Sequence, residues 1–424
     1  MDERIYREYV AILKEELQPA MGCTEPIAVA YCAALARKTL DALPETVEVL
    51  ASANIIKNVK SVIVPNTNGQ RGIAAAAAAG IISGNADAQL QVLASLTPEQ
   101  VDAVGAYLRQ AAFTVRRADK DYVFDIQVRV TAGADSASVE IAGYHTNVIH
   151  IEKNDIVQFH KDYQESGSQH ATDRSLLTVE QIIAFANEVD IADVQETLQR
   201  QIDYNWAIAE EGLRGDYGAN IGRILLQSYG MSIHNRAKAY AAAGSDARMN
   251  GCDLPVVINS GSGNQGLTAS LPVIVYAKEL GVTQQMLYRA LVVSNLVTIH
   301  LKTGIGSLSA YCGATAAGCG AAAGVTYLYG GQYREIAHTI VNAIAIDSGM
   351  ICDGAKASCA AKIASAVEAG LLGMQMQMHE SQFYGGDGIV VKGVENTIRN
   401  IGTLASEGMR ETDRTIIRMM IQEH

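Results

Sequence analysis

Two stretches at the start of the chain place apolar residues at helical spacing. They cover residues 3–18 and 24–40, and the second carries Pro26 in its first turn, where a missing N–H costs little. Alanine-rich helices are predicted further on, at about 72–83 and 98–110, and the second of these follows the helix-start sequence Thr-Pro-Glu. The many small side chains allow such helices to pack closely.

Elsewhere the apolar pattern changes to the period of two that is typical of β-strands. Residues 46–65 alternate in short runs that end at the turn sequence NTNGQRG. Residues 113–154 are the clearest strand segment, with turns at AGADS and EKND. The polar residues 162–175 break the pattern and are interpreted as a linker. From about residue 177 to the end, almost every segment has helical spacing.

This order of elements predicts an α+β protein with two parts. A large all-helical body would contain residues 1–45 and 166–424. A smaller α/β domain with a mixed sheet, residues 46–165, would be inserted into it. No internal repeat is visible.

Composition and charge exclude several classes of protein. Hydrophobic residues make up 49% and charged residues 18% of the 424 residues, which is typical of globular chains. A net charge of −12 without a long basic run argues against nucleic acid as a partner. The N-terminal helix lacks the apolar core of a signal peptide. The most apolar stretches, 72–84 and 312–331, are too short or too rich in Gly and Ala for a membrane span. We therefore expect a cytoplasmic protein without a membrane partner, and the composition favours a homodimer.

Seven cysteines carry the strongest chemical signal. An odd number in a cytoplasmic chain argues against a disulfide framework and favours metal-binding or catalytic thiols. Cys312, Cys352 and Cys359 are separated by 40 and 7 residues. Three thiolates are one short of the four that usually hold a [4Fe-4S] cluster, and an iron without a protein thiolate can act as a Lewis acid. The spacing matches no common ferredoxin or zinc pattern, so three buried core cysteines stay an open alternative.

The short spacing between Cys352 and Cys359 carries a structural expectation. On one unbroken helix the two residues would lie about 10 Å apart along the axis, which is far for one cluster. We expect the Asp-Gly pair between them to interrupt the helix and bring the two side chains together.

Cys23 stands directly before a predicted helix. A helix N-terminus lowers the pKa of a thiol and favours the thiolate, so Cys23 is a candidate catalytic residue. The alternative is a core cysteine. Glu25 is either an acid of the first helical turn or a second candidate base.

Seven motifs resemble one known family. They are MGCTEP, ANIIKN, GYHTNVIHIE, SDARM, NSGSGNQG, LSAYCGAT and GMICDGAKASCAAK. Together they are similar to the bacterial and archaeal L-cysteine desulfidases, the UPF0597 family, which is related to the catalytic part of iron–sulfur L-serine dehydratases. The resemblance covers about residues 8–415. It implies that Cys312, Cys352 and Cys359 bind the [4Fe-4S] cluster, in the helical catalytic body, and that Cys23 is the catalytic base. The cysteines outside the pattern are expected to be structural: Cys32, Cys252 and Cys319.

The resemblance also implies a reaction, in which L-cysteine and water give sulfide, ammonia and pyruvate without pyridoxal phosphate. Iron bound to the substrate carboxylate would stabilise the charge that develops as the weakly acidic α-proton leaves, and the Cys23 thiolate would accept that proton. The aminoacrylate product then hydrolyses without the enzyme. In related serine dehydratases a C-terminal cysteine can supply a fourth ligand. This chain ends in MMIQEH, so the fourth iron is expected to be open or to bind a small ligand.

Several polar residues are candidates for substrate binding. The glycine loop 259–266 offers backbone N–H groups to a carboxylate, although it is also typical of a tight interhelical turn. Arg248 would bind a carboxylate through its planar fork or form a structural ion pair, with Asp246 for example. His145 is a better candidate than His150, and an odd step along a strand places the two on opposite faces. The other candidates, some of which also favour turns, are Asn54, Asn58, Asn66, Asn68, Ser260, Ser262 and Asn264.

Three alternatives stay open from the sequence. The loop SGSGNQG resembles one in pyridoxal-phosphate β-eliminating enzymes, but the nearest upstream lysine, Lys238, lacks the sequence context of a Schiff-base lysine. A non-enzymatic iron–sulfur redox sensor would need a DNA- or partner-binding module, for which we find no signature. An L-serine dehydratase would use the same site, and only the overall resemblance favours cysteine over serine.

Overall fold

Helices make up most of the chain in the computed structural model, which describes residues 1–120, 122–164, 171–306 and 309–421. The helices are α1 Glu3–Glu16, α2 Thr24–Leu40, α3 Ala53–Val59, α4 Gly72–Ser83, α5 Pro98–Gln110, α6 Val179–Glu188, α7 Ile191–Arg214, α8 Ile221–Tyr229, α9 Ile233–Met249, α10 Gly263–Leu280, α11 Gln284–Ile305, α12 Gly313–Leu328, α13 Tyr333–Ile346, α14 Cys359–Met378, α15 Val394–Thr403 and α16 Arg410–Ile421. The strands are β1 Pro19–Met21, β2 Thr46–Ala51, β3 Ala112–Arg117, β4 Asp125–Ala132, β5 Asp135–Ala142, β6 Val148–Lys153, β7 Ile156–His160 and β8 Pro255–Val257.

A mixed sheet is formed by six strands in the order β3-β2-β4-β5-β6-β7. β2 and β3 are parallel, and their crossover contains α3, α4 and α5. The other neighbouring pairs are antiparallel. The period-two pattern buries one face, for example at Val47, Val49 and Val128, and α2 packs over β4 and β5. The predicted α+β class with a mixed sheet is confirmed.

The buried side chains form two large clusters. One belongs to the helices that follow the sheet, together with α1. The other combines the sheet with α2, α4 and α5. The sequence predicts that residues 1–45 belong to the helical body, but residues 27–40 lie in the core of the sheet. The reason is that α2 is buried almost all round, and the apolar face of the sheet needs a helix to cover it. The two cores therefore separate near Cys23 rather than at residue 46, and the division into domains stays a prediction.

Most of the predicted elements agree with the structure, and one does not. Residues 24–40, 72–83 and 98–110 are the helices α2, α4 and α5. The strand pattern predicted over 46–65 ends at Ala51, because residues 53–59 form the helix α3. Ser52 caps this helix and accepts a hydrogen bond from the Ile55 N–H at 3.4 Å. The predicted linker 162–175 lies partly outside the described residues.

The small residues let helices approach each other closely. A Cβ at Gly80 of α4 would lie 1.9 Å from the carbonyl oxygen of Ala30 in α2, so only glycine fits there. The Ala-rich α4 and α12 are buried in the two cores. Within the described ranges, no helix combines the length and apolarity that crossing a lipid bilayer requires.

We predict that Gly80→Ala destabilises the protein by about 1–3 kcal/mol, since α2 and α4 must move apart to admit a methyl group. Gly105→Ala is the matched control, because its Cβ would meet no atom closer than 3.7 Å and alanine favours the helix. The urea midpoint of the far-ultraviolet circular dichroism signal measures both. An unchanged midpoint for Gly80→Ala would show that the contact is not tight.

Candidate functional site

A cavity of about 1300 Å³ lies where the two cores meet. Its walls come from the start of α2, from α3, and from the loop between β5 and β6. The end of α9, the loop before α10, the end of α11, the segment before α12 and the first turn of α14 also line it. Strand β1 pairs with β8 of the helical body. Its last residue, Met21, stands two positions before Cys23, where the chain passes from one core to the other. The candidate residues found in the sequence therefore come from both cores.

Cys312, Cys352 and Cys359 all lie on this cavity and are half-buried. Tyr311 and Ile351 form an antiparallel bridge, and the Cys312 N–H donates to the Met350 carbonyl at 3.0 Å. This pairing fixes Cys312 beside Cys352. The chain then turns, and Cys359 begins α14.

The Asp-Gly pair prevents a continuous helix between the two cysteines, as expected. Gly354 has φ +92°, and a Cβ there would lie 2.4 Å from the backbone oxygen of Lys57. A side chain at this position would both strain the backbone and push the loop away from α3. No helix connects Cys352 to Cys359, so the expectation that they are not on one helix is confirmed.

The electrostatic surroundings favour negative charge on the sulfur of Cys352, whereas burial raises the pKa of Cys359. The Cys312 thiol hydrogen-bonds Cys352 and lowers the pKa of Cys352, and the nearby Lys57 and Lys362 lower it further. The same bond and burial raise the pKa of Cys312. Burial lowers the pKa of Lys302, another residue of the cavity wall, to about 8. Cationic neighbours are what a set of metal-binding thiolates requires.

A single metal ion does not fit the arrangement as it stands. In the ranges that the structure describes, no three His, Cys, Asp or Glu side chains are close enough together to hold one ion. An iron–sulfur cluster makes a different demand, because each cysteine binds its own iron. Three cysteines on one cavity, with Lys57 and Lys362 near Cys352, suit such a cluster by the chemistry of their donor atoms.

Cys23 precedes α2, and its thiol donates a hydrogen bond to Glu25 Oε2 at 3.1 Å. Burial raises the pKa of the Cys23 thiol, and the Glu25 carboxylate raises it further. The expectation that the helix start favours the thiolate is therefore wrong for the ligand-free protein, because burial and the adjacent negative charge outweigh the helix dipole.

The remaining candidates divide into two groups. Asn54, Asn58, His145, Arg248, Ser260, Ser262 and Asn264 line the cavity. Asn66 and Asn68 are not among its lining residues. Asn66 donates to the Leu93 carbonyl at 3.0 Å and Asn68 to Asp102 at 3.2 Å, and both have positive φ. They stabilise a turn, which was the alternative considered for them.

Arg248 lies against the glycine loop 259–266, at the start of α10. Its Nη1 donates to Asn264 Oδ1 at 3.0 Å, and its Nε has no hydrogen-bond partner in the part of the chain that the structure describes. A Cβ at Gly263 would lie 2.2 Å from this Nε, so glycine is needed for α10 to begin here. The ion pair between Arg248 and Asp246 that the sequence left open is wrong, because Asp246 accepts a hydrogen bond from the Gly222 N–H instead.

Lys57 and Gln265 also line the cavity and were missed by the sequence analysis. Asn54, Lys57 and Asn58 are spaced i, i+3, i+4, which places them on one face of α3. The predicted strand concealed this shared face, because a period of two would place Lys57 on the opposite side from Asn54 and Asn58. A Ser-capped helix at ANIIKN was the signal that could have revealed it.

Comparison with known proteins now decides the family. The sequence model described as "Serine dehydratase alpha chain" matches residues 87–418. A UPF0597 protein of Desulfitobacterium hafniense is 57% identical over 99% of this chain and 98% of its own length. UPF0597 proteins of Treponema denticola and Bacteroides fragilis are 45% and 39% identical, over 99% or more of each chain.

The chain belongs to the serine dehydratase alpha chain family. The recognition made from the seven motifs is thereby confirmed. The family is one of iron–sulfur, lyase-type enzymes that act on small molecules. Each of the seven motifs that carry the resemblance contributes at least one residue to the cavity.

One ion pair ties the C-terminal helix to the site. Lys57 Nζ lies 2.6 Å from Asp413 Oδ1, with side-chain exposures of 2% and 16%. Lys60 also donates to the Met420 carbonyl at 2.8 Å. Helix α16 thus closes one side of the cavity through contacts with α3.

We predict that Asp413→Asn loosens α16, because the buried Lys57 loses its anionic partner. A loss of about 1–3 kcal/mol raises the rate of trypsin cleavage within α16 roughly tenfold or more. Glu411→Gln is the control, since Glu411 is 72% exposed and pairs only with Arg414 within the same helix. Mass spectrometry of timed digests gives the rates. Equal rates in the two variants would contradict the role of the ion pair.

Proposed function

We propose that the protein is an iron–sulfur-dependent L-cysteine desulfidase, which eliminates sulfide from L-cysteine without pyridoxal phosphate. The observation that carries the proposal is that Cys312, Cys352 and Cys359 face the same cavity as Cys23. Membership of an iron–sulfur lyase family supports it. A cytoplasmic location, a homodimer and the lack of a nucleic-acid partner stay predictions.

Cys312, Cys352 and Cys359 would hold the cluster, a [4Fe-4S] cluster in our proposal. When bound, it would supply a Lewis-acidic iron that stabilises negative charge on the substrate. Lys57, Lys302 and Lys362 surround the sulfurs with positive charge. Their role in the proposal is to balance the charge of the thiolates in a partly buried place.

Arg248 and the start of α10 would bind the substrate carboxylate. Arg248 is 2% exposed and lines the cavity, and its Nε has no hydrogen-bond partner among the described residues. A guanidinium held by Asn264 is oriented in advance, so little freedom is lost on binding. This would place the α-carbon between Arg248 and the first residues of α2.

Cys23 would accept the α-proton. Because its pKa is raised, the thiol would first release its own proton to solvent as the substrate binds, and the resulting thiolate would then take the α-proton. The enclosed cavity limits access of water to the carbanionic charge. Once the β-substituent has left, the aminoacrylate needs no further group of the protein to hydrolyse.

L-serine dehydratase is the second candidate function. The description of the matching family names serine, and the site would need no change, since only the leaving group differs. The cavity does not favour a redox sensor. A sensor has no need of a cavity lined by polar side chains that lack hydrogen-bond partners.

We predict that Cys312→Ala, Cys352→Ala and Cys359→Ala each lose most of the bound iron, because two remaining thiolates hold a cluster poorly. The control is Cys32→Ala, a buried cysteine whose thiol donates to the Val139 carbonyl at 3.4 Å in the core of the sheet. Iron and acid-labile sulfide per chain are measured after anaerobic purification. Full iron content in any of the three variants would remove that cysteine from the ligand set.

The function itself is tested with anaerobic, cluster-loaded protein. We expect release of sulfide and pyruvate from L-cysteine with kcat/KM above that for L-serine. Cys23→Ala should keep its iron and lose about 10²–10⁴-fold in kcat, the usual contribution of a general base. A preference for L-serine would establish the second candidate. Activity of iron-free protein with pyridoxal phosphate, or no turnover of either amino acid, would overturn the proposal.

A further inference from the structure

Glu25 lies at the centre of a group of hydrogen bonds on the cavity wall. Its Oε1 accepts from Asn58 Nδ2 at 3.0 Å, and its Oε2 is 3.1 Å from both the Cys23 Sγ and the Thr24 hydroxyl oxygen. No Lys, Arg or His of the described chain forms an ion pair with it. This carboxylate is therefore positioned by neutral groups, while the charges of His145 and Arg248 act on it from beyond hydrogen-bond range.

The neighbouring amides present acceptors to the same space. Asn58 is 6% exposed, and because its Nδ2 donates to Glu25, its Oδ1 must face away from that bond. This Oδ1 is buried and has no donor among the described residues, and the same is true of Asn54 Oδ1, one turn earlier on α3. Three acceptor groups, one of them a carboxylate, thus line one wall of the cavity.

Two donor groups face the same cavity. Arg248 presents its unpartnered Nε from α9, and His145 presents an unpartnered Nε2 from the loop between β5 and β6. His145 is held by an edge-to-face contact with Phe124, with 4.9 Å between the ring centres. A ligand that satisfies both the acceptors and the donors needs a cationic donor at one end and an anionic acceptor at the other.

We propose that Glu25, with the side-chain oxygens of Asn54 and Asn58, binds the α-ammonium group of an amino-acid substrate. The inference rests on the proposed function and adds the group that selects amino acids over other carboxylic acids. An ammonium group has three N–H donors, which matches one carboxylate oxygen and two amide oxygens. Glu25 is then a binding residue that touches the substrate, rather than only an acid of the first helical turn.

The charge state of Glu25 agrees with this role. Burial alone would raise the pKa of Glu25, but the charge of His145 and the hydrogen bond from Cys23 lower it below its ordinary value. Burial lowers the pKa of His145, so the imidazole is not a permanent counter-charge. A buried, ionised carboxylate that forms no direct ion pair is stabilised by an ammonium group placed against it.

Binding of ligands that cannot be eliminated tests the proposal without catalysis. L-alanine has no leaving group, and propionate is the same acid without the amine. We expect Glu25→Gln to weaken L-alanine about 10–100-fold in calorimetric titrations, as the loss of a charged hydrogen bond does. Propionate should bind equally well or better, because a negative charge near it has been removed.

Two further variants separate binding from folding. Glu25→Asp keeps the charge and should retain part of the preference for L-alanine. Glu99→Gln is the control, since Glu99 is likewise a first-turn acid, of α5, but faces solvent. It should leave both affinities unchanged. An equal loss of L-alanine and propionate in Glu25→Gln, or the same affinity of the wild type for both ligands, would overturn the proposal.

Kinetics distinguish this role from that of a base. Loss of the ammonium contact should raise KM for L-cysteine more than it lowers kcat, whereas loss of a base lowers kcat alone. A change in kcat alone, with L-alanine bound normally, would overturn the binding role. If cluster-loaded wild type turns over no amino acid but Glu25→Gln still loses L-alanine selectively, the binding site stands and the proposed function fails.

Discussion

A single buried lysine connects the parts of the structure that enclose the cavity. Lys57 belongs to α3, its amine pairs with Asp413 of α16, and its backbone oxygen is in contact with the turn at Gly354. Its positive charge also helps to lower the pKa of Cys352. A buried ammonium is stable only when paired, so α16 and the cysteine loop must keep their places around it. The shape of the site depends on this charge as well as on apolar packing.

The proton on Cys23 connects substrate binding to chemistry. In the free protein Glu25 holds that proton by a hydrogen bond and by its negative charge, and both raise the pKa of the thiol. A cationic ammonium group beside Glu25 would offset its charge and reverse the effect, because an opposite charge nearby favours ionisation. Cys23 would then become a base only when an amino acid is present. A buried thiol that waits for its substrate is also less exposed to oxidation.

The sequence predicted the fold class and the cavity residues to different degrees. The helices α2, α4 and α5 carry strong local signals, a first-turn proline, an alanine run and a Thr-Pro-Glu start, and their bounds were predicted correctly. Helix α3 was missed because it has only seven residues, and the spacing of its apolar side chains fits a strand as well as a helix. The pKa of Cys23 was misjudged for a different reason. A helix terminus is visible in the sequence, but burial and the distance to Glu25 are not. The placement of α2 in the core of the sheet likewise depends on tertiary packing that no local pattern contains.

The cavity walls keep polar atoms that the protein itself does not satisfy, and this limits what the ligand can be. They are Oδ1 of Asn54 and Asn58, Nε2 of His145, Nε of Arg248 and Oε1 of Gln265. A buried group without a partner costs about 1–3 kcal/mol, against a total stability of about 5–15 kcal/mol for a typical protein. So many on one surface are tolerable only if water or a ligand completes their bonds. An apolar ligand would displace that water and leave every one of them unpaired. A small zwitterion completes the bonds of the donors and of the acceptors at once, so these atoms favour amino acids over other small molecules.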